Sequence, residues 1–369
     1  MKTAIVHDWL TSAVGGGEDS LKEIHTLFPS PIYTLVENKK ELKGSYFEDK
    51  EIHTSFIQRL PSAATKYRRY LPFFPMAIEG FDLSAFDCVL SSSHCAAKGI
   101  ISHPDQLHIC YCYTPVRYAW DLTHQYLAES GLNKGLKGAL TRWLLHRFRQ
   151  WDAVASHRVD EFIAISHFVA RRIQKFYGRK ATVIYPPVNL EYHQLHEQKE
   201  DYYITASRFV PYKKIDLIVE AFAQMPDKKL IVIGSGPDEK KIKSKAAKNV
   251  EILGYQPDEV LKKHLQKAKA FVFAAVEDFG ILPIQAMASG TPVIALRKGG
   301  AMETVQESIG GLFFEEQSVD CLKQAVVAFD KKSFTPALVR KSVEHFSDSR
   351  FRNEFRAFVE NKYKAFKNR

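Results

Sequence analysis

Apolar and polar positions along the chain fall into short blocks, and the clearest blocks lie in residues 271–305. Residues 271–276 (FVFAAV) are apolar without alternation, the pattern of a parallel strand covered on both faces. Residues 291–296 repeat the pattern after a short helix that Gly290 ends. Between them stands Glu277-Asp278-Phe279-Gly280-Ile281-Leu282-Pro283, a carboxylate at the end of a strand, then a glycine, then a helix start with free backbone N–H groups. Open parallel sheets bind ligands beyond the carboxyl ends of their strands, and helix starts offer N–H groups and a positive dipole end. From the residues alone, this stretch is either a polar-ligand site or a connection punctuated by Gly280 and Pro283.

The same alternation of strand and helix runs through the rest of the chain. Residues 4–6, 32–36, 86–91, 107–113, 162–165 and 181–185 read as strands, and a helix opens at Gly15-Gly16-Gly17-Glu18. A second series follows at residues 203–207, 230–233, 250–254 and 310–314. Alternating strands and helices predict doubly wound parallel sheets. Pro186-Pro187 and the polar stretch after them mark a junction, dividing the chain into residues 1–186, residues 187–345 and a basic helical tail, residues 346–369.

Composition narrows the class. With 369 residues, 45% of them hydrophobic, the chain can build two ordinary cores. No apolar run reaches the roughly 18 residues that span a bilayer, and the first residues lead into a strand, so a cytoplasmic protein is expected. The five cysteines (Cys88, Cys95, Cys110, Cys112, Cys321) lack C-x-x-C spacing and read as reduced structural thiols. Cys110 and Cys112 beside His94 and His108 suggest a metal only weakly, since both thiols face one side of a strand. A net charge of +10 favours an anionic partner. Residues 134–151 carry five Lys/Arg and no acid, and residues 59–74 carry four among aromatics. Both segments read equally as basic amphipathic surface for an anionic membrane and as solvated helix faces. No nucleic-acid motif accompanies the charge.

Three glycines at residues 15–17 would let backbone N–H groups approach a diphosphate, and they would equally serve a flexible turn. Their spacing from the strand, with Ser20 where a third glycine belongs, disfavours a dinucleotide fingerprint.

The 277–285 segment resembles the signature of family 4 of the retaining, nucleotide-sugar-dependent glycosyltransferases: Glu, seven residues, Glu, with Phe-Gly between. Here Glu277 matches the first acid and Gln285 replaces the second. The resemblance implies a GT-B fold, α/β with two Rossmann-like domains facing across a cleft: an acceptor-side domain (1–186), a donor domain (187–345) and a final helix (346–369) crossing back. It assigns donor-sugar contacts to Glu277 and to the backbone of Phe279, Gly280, Ile281 and Leu282, and the ribose to Gln285. The diphosphate falls to Arg208, Lys213 and the glycines Gly15, Gly16 and Gly17. Loops carrying Gly236 and Tyr255 would frame the nucleobase. Residues 79–127 look like a subgroup of bacterial O-antigen and exopolysaccharide mannosyltransferases. In relatives a His precedes the Thr at Thr114, beside the donor sugar and acceptor hydroxyl; here Tyr113 stands in its place as the catalytic candidate. Arg117, Tyr118, Trp120 and Asp121 read either as cleft wall or as a packed helix start.

The implied reaction is retaining transfer of a hexose, mannose from GDP-mannose, to a sugar hydroxyl of a lipid-linked oligosaccharide at the inner face of the membrane. It needs no metal or other cofactor: no Asp-x-Asp ends a strand, fixed cations neutralise the leaving diphosphate, and that phosphate can serve as base. A UDP or dTDP donor, or a degenerate binding protein without turnover, remains open. The sequence sets no oligomeric state.

Overall fold

The computed structural model describes residues 1–132 and 134–368. The chain forms two compact units, residues 1–187 with 349–369, and residues 188–348. Arg369, at the end of the basic tail, lies outside the described residues.

The first unit holds a seven-stranded parallel sheet. Its strands are β1 (Thr3–His7), β2 (Ile32–Thr34), β3 (Ile52–Thr54), β4 (Cys88–Ser93), β5 (Leu107–Cys112), β6 (Glu161–Ala164) and β7 (Ala181–Val183). They lie in the order β3-β2-β1-β4-β5-β6-β7. β1, β4 and β5 are buried along their whole length, which is why their sequences are apolar or small on both faces apart from His7, His108 and Tyr111. The helix Gly16–Leu27 follows β1, and Ser166 caps the helix His167–Tyr177 by accepting from the N–H of Val169. The last helix, Asp348–Lys367, packs on this unit. Phe351 and Phe355 lie against Tyr111 at ring separations of 5.6 and 5.8 Å, and Arg352 and Lys362 pair with Glu23 and Glu161. Tyr118 and Trp120 are packed here as well. Trp120 stacks on Phe176 at 5.0 Å and donates to Asp152 at 2.7 Å, while Asp121 pairs with Arg172. Both aromatic side chains are half-buried and packed against this unit's core.

The second unit holds a six-stranded parallel sheet of β8 (Tyr203–Ala206), β9 (Leu230–Ile233), β10 (Val250–Gly254), β11 (Ala270–Phe273), β12 (Val293–Leu296) and β13 (Gly311–Phe314), in the order β10-β9-β8-β11-β12-β13. Helices Ile215–Ala223 and Val319–Asp330 bury Phe222, Leu322 and Phe329 against it.

Both sheets reverse strand order once, between β1 and β4 and between β8 and β11. Such switch points are where open parallel sheets receive ligands. In the second unit the loop after β11 is held by the turn after β12. Gly300 donates its N–H to the Glu277 carbonyl at 2.7 Å, and a Cβ on Gly300 would lie 2.4 Å from the Phe279 Cα. Gly300→Ala is therefore expected to destabilise the protein by about 1–3 kcal/mol through forced displacement of backbone. Urea denaturation measures it; an unchanged midpoint would mean that the loop yields freely.

Two histidines buried beside the first sheet make its stability depend on pH. Burial lowers the pKa of both His7 and His108 to about 4. The unfolded chain takes up protons at these rings near the ordinary value while the folded chain does not. Stability is complete above about pH 6.5 and falls as the pH drops towards 4, by roughly 2 kcal/mol per histidine at pH 5. Urea midpoints at about pH 7.5 and 5 should differ accordingly, and by less in His108→Gln; equal midpoints would refute neutral burial.

Candidate functional site

At the switch point of the second sheet, the loop leaving β8 carries Arg208 and then the single 3-10 turn Pro211–Lys213. The loop leaving β11 carries Glu277. The structure brings Lys213 and Glu277 together: the ammonium makes a close ion pair with the carboxylate, and both side chains are largely shielded from water. Arg208 is exposed on the same loop as Lys213. The turn after β9 supports this loop, because the N–H of Phe209 donates to the Ser235 carbonyl at 2.8 Å. A Cβ on Gly236 would lie 2.4 Å from the Phe209 carbonyl oxygen, so only glycine lets the two segments approach this closely.

Phe279 is buried, with its ring 5.4 Å from Phe346. Its side chain anchors the loop, leaving the backbone of Phe279, Gly280, Ile281 and Leu282 at the start of the helix Ile281–Ala288. Gln285 lies one turn further, partly exposed, with its carbonyl accepting from Ser289. Tyr255 follows β10 and is 75% exposed. β10 is the edge strand, three positions from β11, so Tyr255 stands roughly 14 Å across the sheet from Glu277.

In the first unit, Gly15 precedes and Gly16 and Gly17 begin the helix Gly16–Leu27, whose first turn also holds Glu18 and Asp19. Those two carboxylates already face the positive end of the helix dipole. Burial raises the Glu18 pKa to about 7. Tyr113 is enclosed: its hydroxyl donates to the Gly17 carbonyl at 2.9 Å and lies 2.8 Å from Ser92 Oγ. Burial pushes its pKa well up from the ordinary tyrosine value.

Sequence reasoning gave Asp8 no role and weighed His94 only as a weak metal ligand, and the structure pairs the two. Asp8 follows β1 and is wholly buried. It accepts the backbone N–H groups of His94, Cys95, Ala96 and Ala97 at 2.5–2.9 Å, and His94 Nδ1 lies 3.0 Å from it. Although burial alone would raise its pKa, His94, His7 and the amides together hold it below the usual value. No spacing pattern announces the pair, because 86 residues separate its members. Among the described residues no group of three or more His, Cys, Asp or Glu side chains could hold a metal ion.

The arrangement can hold a polar, anionic molecule. A fixed ammonium pairs with the Glu277 carboxylate just before a helix start, with a guanidinium exposed on the ammonium's own loop, and charge-assisted bonds of this kind are the strong ones.

Two family models match the chain in succession: "Glycosyltransferase Family 4" over residues 39–192 and "Glycosyl transferases group 1" over residues 191–333. The chain is 29% identical over 184 residues to an uncharacterized glycosyltransferase of Methanocaldococcus jannaschii, covering 48% of this chain and 52% of that protein. It is 34% identical over 136 residues to a GDP-mannose-dependent monoacylated alpha-(1-6)-phosphatidylinositol monomannoside mannosyltransferase of Corynebacterium glutamicum, covering 33% of this chain and 35% of that one. The matches thus span between about a third and a half of these curated relatives. The solved structure of Anabaena Alr3699/HepE in complex with UDP superposes with a TM-score of 0.69, at 14% identity, over 98% of this chain and 100% of that chain. Two successive family models covering residues 39–333, on two Rossmann-like parallel sheets with GT-B structural neighbours, place the chain in family 4 of the glycosyltransferases.

Proposed function

We propose that the protein transfers a hexose, mannose from GDP-mannose, to a sugar hydroxyl of a lipid-linked oligosaccharide with retention of configuration and without a metal ion. The observation that carries the reading is the meeting of Lys213 and Glu277 at the switch point of the second sheet, with Arg208 on the same loop. In this reading Arg208 and Lys213 take the diphosphate, whose negative charge grows as the glycosidic bond breaks. Glu277, freed from Lys213 by the arriving anion, accepts hydroxyls of the donor sugar. The N–H groups from Phe279 to Leu282 hold the same sugar, and Gln285 binds the ribose through a neutral amide. The mannosyl assignment draws on the Corynebacterium relative, whose name states GDP-mannose dependence. The alternative donor class is a UDP-sugar, favoured by the UDP complex of the Anabaena protein.

Release of nucleotide from a panel of GDP-, UDP- and dTDP-sugars, with and without lipid-linked glycans, tests the reading. GDP-mannose should turn over fastest. Arg208→Ala and Lys213→Ala should each slow it by about 10- to 100-fold, the worth of one charge-assisted hydrogen bond. Near-normal rates in both variants would remove the diphosphate from this loop.

A peripheral position at the inner face of the membrane belongs to the same proposal. The helix Gly135–Ala155 exposes Leu136 (92% accessible), Leu140 and Trp143 at successive turns of one face, among Lys137, Arg142 and Arg147. Phe73 and Met76 are exposed beside Arg68 and Arg69. Among the described residues no helix is long and apolar enough to cross a membrane. An apolar face bordered by cations suits an anionic lipid surface, where each Lys or Arg contributes about 1 kcal/mol. Co-sedimentation with vesicles containing phosphatidylglycerol should exceed that with neutral vesicles and fall with salt. Equal binding to both, or to neither, would rule the surface out.

A further inference from the structure

At the switch point of the second sheet, one polar side chain is left without a bond. Ser207 stands at the carboxyl end of β8, the strand that pairs with β9 on one side and with β11 on the other, directly before Arg208. Its hydroxyl oxygen is shielded from water, and among the described residues nothing bonds to it. A buried hydroxyl without a bond is a cost to the folded chain that most buried polar groups avoid.

The backbone around Ser207 is too firmly held to shift towards a partner. Its own N–H donates to the Ile233 carbonyl at 3.0 Å, and the N–H of Phe209 donates to the Ser235 carbonyl at 2.8 Å. The Phe209 carbonyl accepts from the N–H of Asp238 at 3.1 Å, while the Phe209 side chain is buried in the core of this unit. The N–H of Lys213 closes its turn on the Val210 carbonyl at 3.0 Å. The turn after β9 approaches so closely that a Cβ on Gly234 would run into the Ser207 carbonyl oxygen. Residues 207–213 are therefore a pinned segment of the second unit carrying three donors: the Ser207 hydroxyl, the Arg208 guanidinium and the Lys213 ammonium. The sequence resemblance gives the two cations to the diphosphate and leaves the serine without a role.

We propose that the Ser207 hydroxyl is a further binding group for the nucleoside diphosphate, donating to a phosphate oxygen once the parting of Lys213 from Glu277 uncovers it. A hydroxyl carries one proton and turns about its C–O bond, so it can aim at an anionic oxygen that the cations of its own segment hold. Because the segment is already fixed, little ordering is needed on binding. A hydroxyl that is bonded in an empty site must give up that bond to take a ligand. Ser207 gives up none, so its bond to the phosphate counts in full towards affinity. Two consequences follow with opposite signs. Removing the hydroxyl relieves the ligand-free chain of an unmade bond, and it deprives the bound diphosphate of a donor. A side chain that served packing alone would not separate the two.

The inference rests on the glycosyl-transfer reading, and its test distinguishes the two. Calorimetric titrations with GDP and with UDP, and urea denaturation without ligand, are compared for the native protein and Ser207→Ala. The variant should bind whichever nucleoside diphosphate the native protein takes about 10- to 100-fold more weakly, the worth of a hydrogen bond to a charged group. Its urea midpoint without ligand should be unchanged or higher. Equal affinity in the two proteins overturns the proposal. So does a lowered midpoint, which would show that the hydroxyl is bonded within the folded chain. A native protein that binds neither GDP nor UDP overturns the transferase reading, and this inference with it.

Discussion

Parallel pairing is the constraint from which the rest of the structure follows. Each strand must return to the same end of its sheet before the next begins, so turns collect at one edge. Where strand order reverses, two neighbouring turns diverge and leave their backbone groups without each other. Those groups must still be bonded. The first unit meets the requirement with one buried carboxylate, Asp8, which takes four consecutive amides of the turn after β4. The second bridges its diverging loops, those after β8 and β11, with the ion pair of Lys213 and Glu277, while the bond from Gly300 to the Glu277 carbonyl ties the β11 loop to the neighbouring turn after β12.

Much of this was legible in the chain because buried parallel strands leave a local signature. Runs such as FVFAAV and LHICYC carry no alternation, and they became β11 and β5. The loop at Glu277 was legible for the same reason: two adjacent acids at the end of an apolar run, before a glycine and a helix, mark the point where a buried strand gives way to a loop. β3, Ile52–Thr54, left no such mark, because three residues at a sheet edge bury too little to need an apolar run. His94 was illegible for a different reason. Taken alone it is one histidine after a serine run, and its meaning comes from a carboxylate in a distant part of the chain. Trp120 and Tyr118 show the same limit, since only their contacts with Asp152 and Cys95 separate core from surface.

The buried Lys98–Asp152 pair repeats the principle deeper in the first unit. Although burial alone would lower it, the Lys98 pKa is raised, chiefly by Asp152. Asp152 also accepts from Trp120 and from Tyr177 at 2.8 Å. A buried pair with this many partners adds little net stability over an apolar filling but is costly to break, so it fixes position more than it stabilises. What it fixes is the Cys95 carbonyl, hence the turn that presents His94.

The two switch points differ in what holds their charges. At the first, Asp8 is committed to five donors and sealed from water, so His94 cannot exchange its partner and keeps one tautomer. At the second, Lys213 and Glu277 form a close ion pair of two side chains that are both largely shielded from water. A pair shielded in this way is costly to break unless an arriving group replaces both bonds as they are lost. Both switch points thus keep a carboxylate paired and away from water, one among backbone amides and one against a side-chain ammonium.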